Sequence, residues 1–209
     1  MPSDLSHNLD ASDPAVAVRQ YGDPVLRQKA RAIRKINAGV RELAARMAST
    51  MYEVDGVGLA APQIGESRRV VVLDIGDGLM TMVNPRVVSG SGRETQIEAC
   101  LSVVGLCGEV ERYERVRVKA IDLDGKEMTV DAEGMLARAL QHEIDHLDGI
   151  LYTDRAITVQ PAAAADDGDD DAGDDADEAQ VAEVAADDVA TPPAAPADPL
   201  MSGASLEDR

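Results

Sequence analysis

His142, Glu143 and His146 sit within five positions of one another and hold two of the only three histidines in the 209-residue chain. If residues 141–149 are helical, a turn of about 100° per residue sets His146 about 40° from His142, one turn further on, so both imidazoles reach one metal ion. Glu143 then borders the same face. This His-Glu-x-x-His spacing is that of a helix on which two histidines hold a metal while the glutamate handles protons. The plain alternative is a chance pair of histidines that pack or solvate a helix.

The flanking residues predict that helix. Leu136, Leu140, Ile144 and Leu147 fall on the side opposite the histidines. Ala139 lies beside them, where a small side chain leaves room for a ligand. Gly149 is placed to end the helix in a left-handed cap.

A catalytic metal with two imidazoles needs a third protein ligand and one position for solvent. His7 lies in an N-terminal arm and is discounted. Cys100 offers a soft thiolate suited to zinc or Fe(II) and is preferred to the nearby carboxylate of Glu98. Cys107, among Gly105, Leu106 and Gly108, reads as a small apolar residue in a loop.

The remaining elements must hold these groups in place. A short helix is predicted from Pro24 through 26–30. Residues 37–53 carry Val40, Leu43, Ala44, Met47 and Met51 at three- and four-residue spacing, with Asn37 as N-cap. Residues 56–65 contain three glycines and a proline, which exclude regular helix or a central strand. They form either a connecting loop or a ligand-lining one, because Val57, Leu59 and Ile64 make the stretch unusually apolar. Gly58 there permits close backbone approach, and Gln63 offers an amide donor.

Residues 69–75 predict a buried strand and 79–83 its hairpin partner, ended by Asn84-Pro85, with 86–89 resuming. Residues 110–123 predict one long half-exposed strand, joined by an Asp124-Gly125 turn to a strand over 127–132.

The formal charge of −19 is uneven: residues 160–209 hold 15 acids and one base, the rest 24 acids and 19 bases. That stretch is rich in Ala, Asp and Pro, which predicts disorder and argues against direct nucleic-acid binding. The expected organisation is a flexible arm at 1–15, a catalytic domain at 16–159 and a disordered acidic tail at 160–209. No secretory signal and no membrane span are expected, which places the chain in the cytoplasm. There, two cysteines suggest metal binding or free thiols rather than a disulfide.

Three blocks appear in order: Gly56-Val57-Gly58-Leu59-Ala60-Ala61-Pro62-Gln63, Glu98-Ala99-Cys100-Leu101-Ser102, and Gln141-His142-Glu143-Ile144-Asp145-His146-Leu147. Together they resemble the signature blocks of bacterial-type peptide deformylases. Gly22-Asp23-Pro24-Val25-Leu26-Arg27 and Asn84-Pro85 add to the likeness, which covers roughly residues 19–155. The resemblance implies an α+β fold with antiparallel β-sheets around a central helix carrying the His-Glu-x-x-His motif; the predicted N-terminal helix and the disordered acidic tail complete the expected chain, the tail lying outside the likeness.

It further implies a metal-dependent hydrolase that removes the formyl group from formyl-methionine of nascent polypeptides, with transient ribosome contact. Cys100, His142 and His146 are the implied metal ligands. The ion is expected to be Fe(II) in cells, with Zn, Ni or Co able to replace it. Glu143 is the implied general acid/base, acting on metal-bound hydroxide, and Gln63 and the Leu101 N–H are the implied oxyanion donors. Val57, Gly58, Leu59, Ala99 and Ala139 are expected to line the substrate.

Two departures stand out: Ala99 where the family has glycine, and Val104 where it has proline. The added methyl of Ala99 would be strained if that position required positive φ. A different His-Glu-x-x-His amidase or peptidase, or a non-catalytic binding module of the same fold, are the rival readings.

Overall fold

Asn37 turns an extended segment into helix α1 (Ala38–Glu53) by accepting the Val40 N–H at 3.1 Å. This satisfies one of the donors that a helix start leaves without a partner. The predicted stripe follows: Val40, Leu43, Ala44, Met47 and Met51 are fully buried. The computed structural model of the protein describes residues 15–162. The expected arm, except Ala15, and the expected tail from 163 onward lie outside the described residues.

Strands β1 (Gly58–Ala60), β2 (Val70–Leu73), β3 (Met80–Ser91), β6 (Arg115–Ile121) and β7 (Glu127–Glu133) form one antiparallel sheet in the order β1-β2-β3-β6-β7. A second sheet has the order β4-β5-β8, from Glu94–Cys100, Val103–Arg112 and Thr158–Pro161. Helix α2 (Gly134–Leu147) follows β7 directly.

The apolar run of β2 is explained by cover on both faces. Val70 and Val72 pack in the cluster with α1, while Val71 and Leu73 pack with Leu140, Ile144 and Leu147 of α2. A third cluster, Leu26, Val103, Val110, Leu151 and Tyr152, fills the space under the second sheet. Among the described residues the fold is thus a mixed one of two antiparallel sheets and two α-helices, as expected.

Several expectations need correction. Asn84-Pro85 does not end the hairpin strand: β3 runs through it with a register shift between Val83 and Arg86. Asn84 takes φ 52° and its amide exchanges two hydrogen bonds with Ile33, at 2.8 and 2.7 Å. Proline is tolerated at such a bulge because the ladder is already interrupted.

The predicted strand over 110–123 is two strands in different sheets. The reason is a clamp: Gln141 on α2 accepts the Tyr113 N–H at 3.0 Å and donates to the Tyr113 carbonyl at 2.9 Å. The helix predicted from Pro24 is a single 3-10 turn, Pro24–Arg27. It stops there because the Ala30 N–H is committed to the Leu147 carbonyl at 2.8 Å.

Cys107 lies in strand β5 rather than a loop, and β8 carries ordered pairing to Pro161, past the expected domain end at 159. Gly149, with φ 77°, ends α2 in the left-handed region as predicted.

The α1 cap is testable alone. Asn37→Ala is expected to lower unfolding stability by about 1 kcal/mol. Urea unfolding measures this, and an unchanged midpoint would count against the cap.

Candidate active site

The four-residue spacing on α2 does what helical geometry requires. His142 and His146 share one face, with ring centroids 5.0 Å apart. The opposite face, Leu140, Ile144 and Leu147, is locked in the core. Cys100 arrives from β4, whose pairing with β5 shifts register between Ala99 and Cys100. The Cys100 Sγ lies 3.2 Å from His146 Nε2. Ligand-capable atoms of Cys100, His142 and His146 all fall within 4.8 Å of one another. The residues read from the sequence as ligands are therefore brought together.

Glu143 is buried beside them. Among the described residues its Oε2 has no hydrogen-bond partner, an arrangement costly unless the group serves a purpose. Burial pushes its carboxyl up to about 7, with His142 lowering it and Glu98 raising it further. Gly58 borders this carboxylate so closely that a Cβ there would sit 2.7 Å from Glu143 Oε1. A side chain at 58 would therefore displace the glutamate carboxylate or crowd Leu73, 3.0 Å from the same point.

Glu98, considered from sequence as a ligand, has another task. Its Oε2 lies 2.9 Å from His142 Nδ1, which directs the other ring nitrogen away from it. Side chains two apart on a strand share a face, so Glu98 and Cys100 both point at α2; that spacing was a signal available in the sequence. Glu98 also accepts two hydrogen bonds from Arg112, both at 2.9 Å, and one from Arg138 at 2.7 Å. Burial would raise its pKa, but the hydrogen bonds from Arg112 and His142 hold it well below the usual carboxylate range.

Arg112 continues to Asp145, which also accepts from Arg155 at 2.7 and 2.8 Å. Arg112, Arg138, Asp145 and Arg155 were not read from the sequence as part of the site. A charge at an inward strand position, as at Arg112, was the only hint. The Tyr152 ring stacks on His142 at 6.3 Å.

On the other side, Gln63 is fully buried in a single turn, Ala61–Ile64. Its Oε1 accepts the Ala60 N–H at 2.8 Å. Its Nε2 is thereby directed to Ser102 Oγ at 3.2 Å and Cys100 Sγ at 3.7 Å. Leu101 continues from Cys100 into the hairpin to β5.

Residues 56–65 are not simply a loop: they hold the edge strand β1 and a single 3-10 turn, Ala61–Ile64. Along β1, Gly58 and Ala60 face α2 while Leu59 faces the α1 cluster, fully buried. Leu59 therefore cannot wall a substrate pocket, contrary to expectation, because strand alternation turns it to the other side. Val57 is 51% exposed. Ala139 packs in the α2 core cluster. Ala99 is exposed in regular strand, and positive φ among non-glycine described residues is confined to Asp55 and Asn84. The expected strain at Ala99 does not arise.

Two outcomes follow for Glu98→Gln. Loss of the carboxylate behind His142 is expected to weaken metal affinity about 10–100-fold, read by competition with a chelator. Separately, the native pKa of Glu98 lies below its ordinary 4.5, so the stability it contributes is present above that pH and lost as pH falls below it. Between about pH 5 and about pH 3 the variant should lose less stability than the parent. Parallel acid-unfolding curves would show that Glu98 is not the group titrating.

The arrangement can be compared with known proteins. A family model described as Polypeptide deformylase matches residues 15–162. The peptide deformylase of Pelotomaculum thermopropionicum is 49% identical over 148 residues, covering 71% of this chain and 96% of its own. That of Carboxydothermus hydrogenoformans is 50% identical over 139 residues, covering 66% and 91%. Among solved structures, the peptide deformylase from Thermotoga maritima superposes with a TM-score of 0.68 at 39% identity, covering 70% of this chain and 100% of that one. The enzyme from Synechococcus elongatus, solved in complex with actinonin, gives 0.68 at 38% identity, covering 70% and 81%. The chain belongs to the polypeptide deformylase family, metal-dependent hydrolases that remove the formyl group from N-terminal methionine.

Proposed function

We propose that Cys100, His142 and His146 hold one divalent ion, Fe(II) in cells with Zn, Ni or Co as substitutes, and that Glu143 is the general acid/base of deformylation. The observation that carries this is the buried, unpartnered Oε2 of Glu143 beside a Cys/His/His cluster. One thiolate and two imidazoles suit Fe(II) or zinc and leave a position for solvent. Such an ion supplies Lewis acidity and brings the ionisation of water at the site toward neutrality.

The chain's own groups do the rest. Glu143, with its pKa raised to about 7 by burial, accepts a proton from the attacking water and returns it to the departing amine. The Nε2–H of Gln63 and the N–H of Leu101 donate to the oxyanion that develops on the formyl oxygen. Ala60 fixes the orientation of Gln63, so this donor needs little reorganisation. Gly58 lets the substrate backbone pass close to Glu143. Val57, Ala99 and Ala139 border the methionine side chain and the peptide that follows.

The substrate is the nascent formyl-methionine polypeptide, met at the ribosome in the cytoplasm. No helix among the described residues is long and apolar enough to cross a membrane. The catalytic domain comprises about residues 16–162, followed by an acidic tail outside the chemistry.

The test is Glu143→Ala on a formyl-Met tripeptide under anaerobic conditions. The variant should keep stoichiometric metal and lose turnover by at least about 100-fold, the low end of general acid/base contributions. Equal rates for variant and parent would refute the assignment. For the parent, kcat/KM should rise with pH as Glu143 loses its proton, with an apparent pKa no higher than about 7, since a nearby cation only lowers it. An acidic limb midpoint well above that value would assign the base elsewhere.

A further inference from the structure

We propose that the carboxylates of residues 166–208 dock on a basic face formed by Arg31, Arg34, Lys35, Arg68, Arg86 and Lys119 of the same chain. The face begins in the sequence. Residues 27–41 contain six bases and no acid. The fold then adds to it. Arg31 and Arg68 are bridge partners on neighbouring segments. Ile33, just before Arg34 and Lys35, is bound on both sides to Asn84, two residues before Arg86. Arg86 in turn lies directly opposite Lys119 across β3 and β6. Like charges directly opposite on a sheet destabilise it, so this pair costs the fold something unless an anion covers it.

The cations of this face have no carboxylate of the described domain to meet. Arg31 reaches only the Ser67 carbonyl, at 3.4 Å, and Arg68 only the Gly39 carbonyl, at 3.5 Å. Arg34, Lys35, Arg86 and Lys119 make no ion pair among the described residues. Two acids on adjoining segments are engaged elsewhere, Asp148 with Arg69 and Lys29 and Glu66 with Arg46. By contrast, the basic side chains of β6 nearer its start are matched, Arg117 to Asp131 and Arg115 to Glu114 and Glu133. Lys126 apart, the unmatched positive charge among the described residues is therefore local to one face.

The occupant is identified by charge and tethering. Residues 163–209 carry 15 acids and one base, whereas residues 15–159 hold 21 acids and 19 bases, close to balance. Ala162 is the last described residue, bound to the Gly105 carbonyl at 2.9 Å. Twelve residues beyond it span at most about 40 Å, more than twice the roughly 15 Å radius of gyration of a domain this size. Reach therefore excludes no face. A tethered segment also acts at an effective concentration in the millimolar range. A nucleic acid would have to compete with it against a chain of net charge −19.

Zero-length carbodiimide cross-linking of the full chain tests the contact, because an amide forms only where an amine and a carboxylate touch. The four lysines are Lys29, Lys35, Lys119 and Lys126. Lys35 and Lys119 should join acids of 166–188, several-fold more than Lys126 does. Lys29 should join Asp148, which serves as an internal control. A mixture of isotopically light and heavy protein should give links within single chains. Yields on Lys35 and Lys119 should collapse between about 0.01 M and about 1 M salt, as the screening length falls from about 30 Å to about 3 Å. Equal labelling of Lys126, links only between chains, or no tail links while the Lys29–Asp148 link forms would each overturn the proposal. So would tight binding of a single-stranded RNA to the full chain that protects Lys35 and Lys119 where no tail links are found, since that would make the partner a nucleic acid.

Discussion

One buried carboxylate holds the site together. Glu98 on β4 receives Arg112, Arg138 and His142 at once, so the strand that delivers the sulfur and the helix that delivers the imidazoles meet through it. Such a group is expensive to desolvate, and it is tolerable because every lone pair is directed at a cation or a ring nitrogen. Asp145 repeats the device one turn along α2, tying Arg112 to Arg155. The proposed ligands therefore stand on a charged frame whose geometry is fixed by hydrogen bonds rather than by packing alone. That distinguishes this end of α2 from its apolar back, where leucines and isoleucine settle into the sheet and set only depth and rotation.

Strand alternation divides the labour of the first block. Gly58 makes space for Glu143, Leu59 anchors β1 under α1, and Ala60 fixes Gln63 through its N–H. Three consecutive residues thus serve three different ends. The same alternation sends Glu98 and Cys100 inward while Ala99 stays at the surface. A methyl at 99 is accordingly compatible with the backbone, which is ordinary extended strand there.

Much of this was legible in the sequence, for identifiable reasons. The α1 stripe, its Asn37 cap, the His-Glu-x-x-His helix with its Gly149 stop and the preference for Cys100 all rest on local periodicity or donor chemistry, and the fold places each as expected. What escaped were long-range matters. Nothing local says that Gln141 will seize Tyr113, so the division of 110–123 between two sheets was invisible. Arg112 and Arg155 carry meaning only once the fold sets Asp145 between them. Leu59 looked like a pocket wall because it sits in an apolar block, and only the register of β1 against β2 shows which way it points. Asn84-Pro85 reads as a break in one dimension, yet a bulge absorbs it when a second segment, through Ile33, supplies partners.

The placement of Cys100 at the end of the three-stranded sheet, and of both histidines on a helix packed against the five-stranded one, has a thermodynamic consequence. An ion held by all three side chains would rivet the two layers together. Its binding free energy would then become folding free energy, growing with the logarithm of free ion over dissociation constant. Melting temperature in this protein would report ion occupancy as directly as any spectroscopic signal.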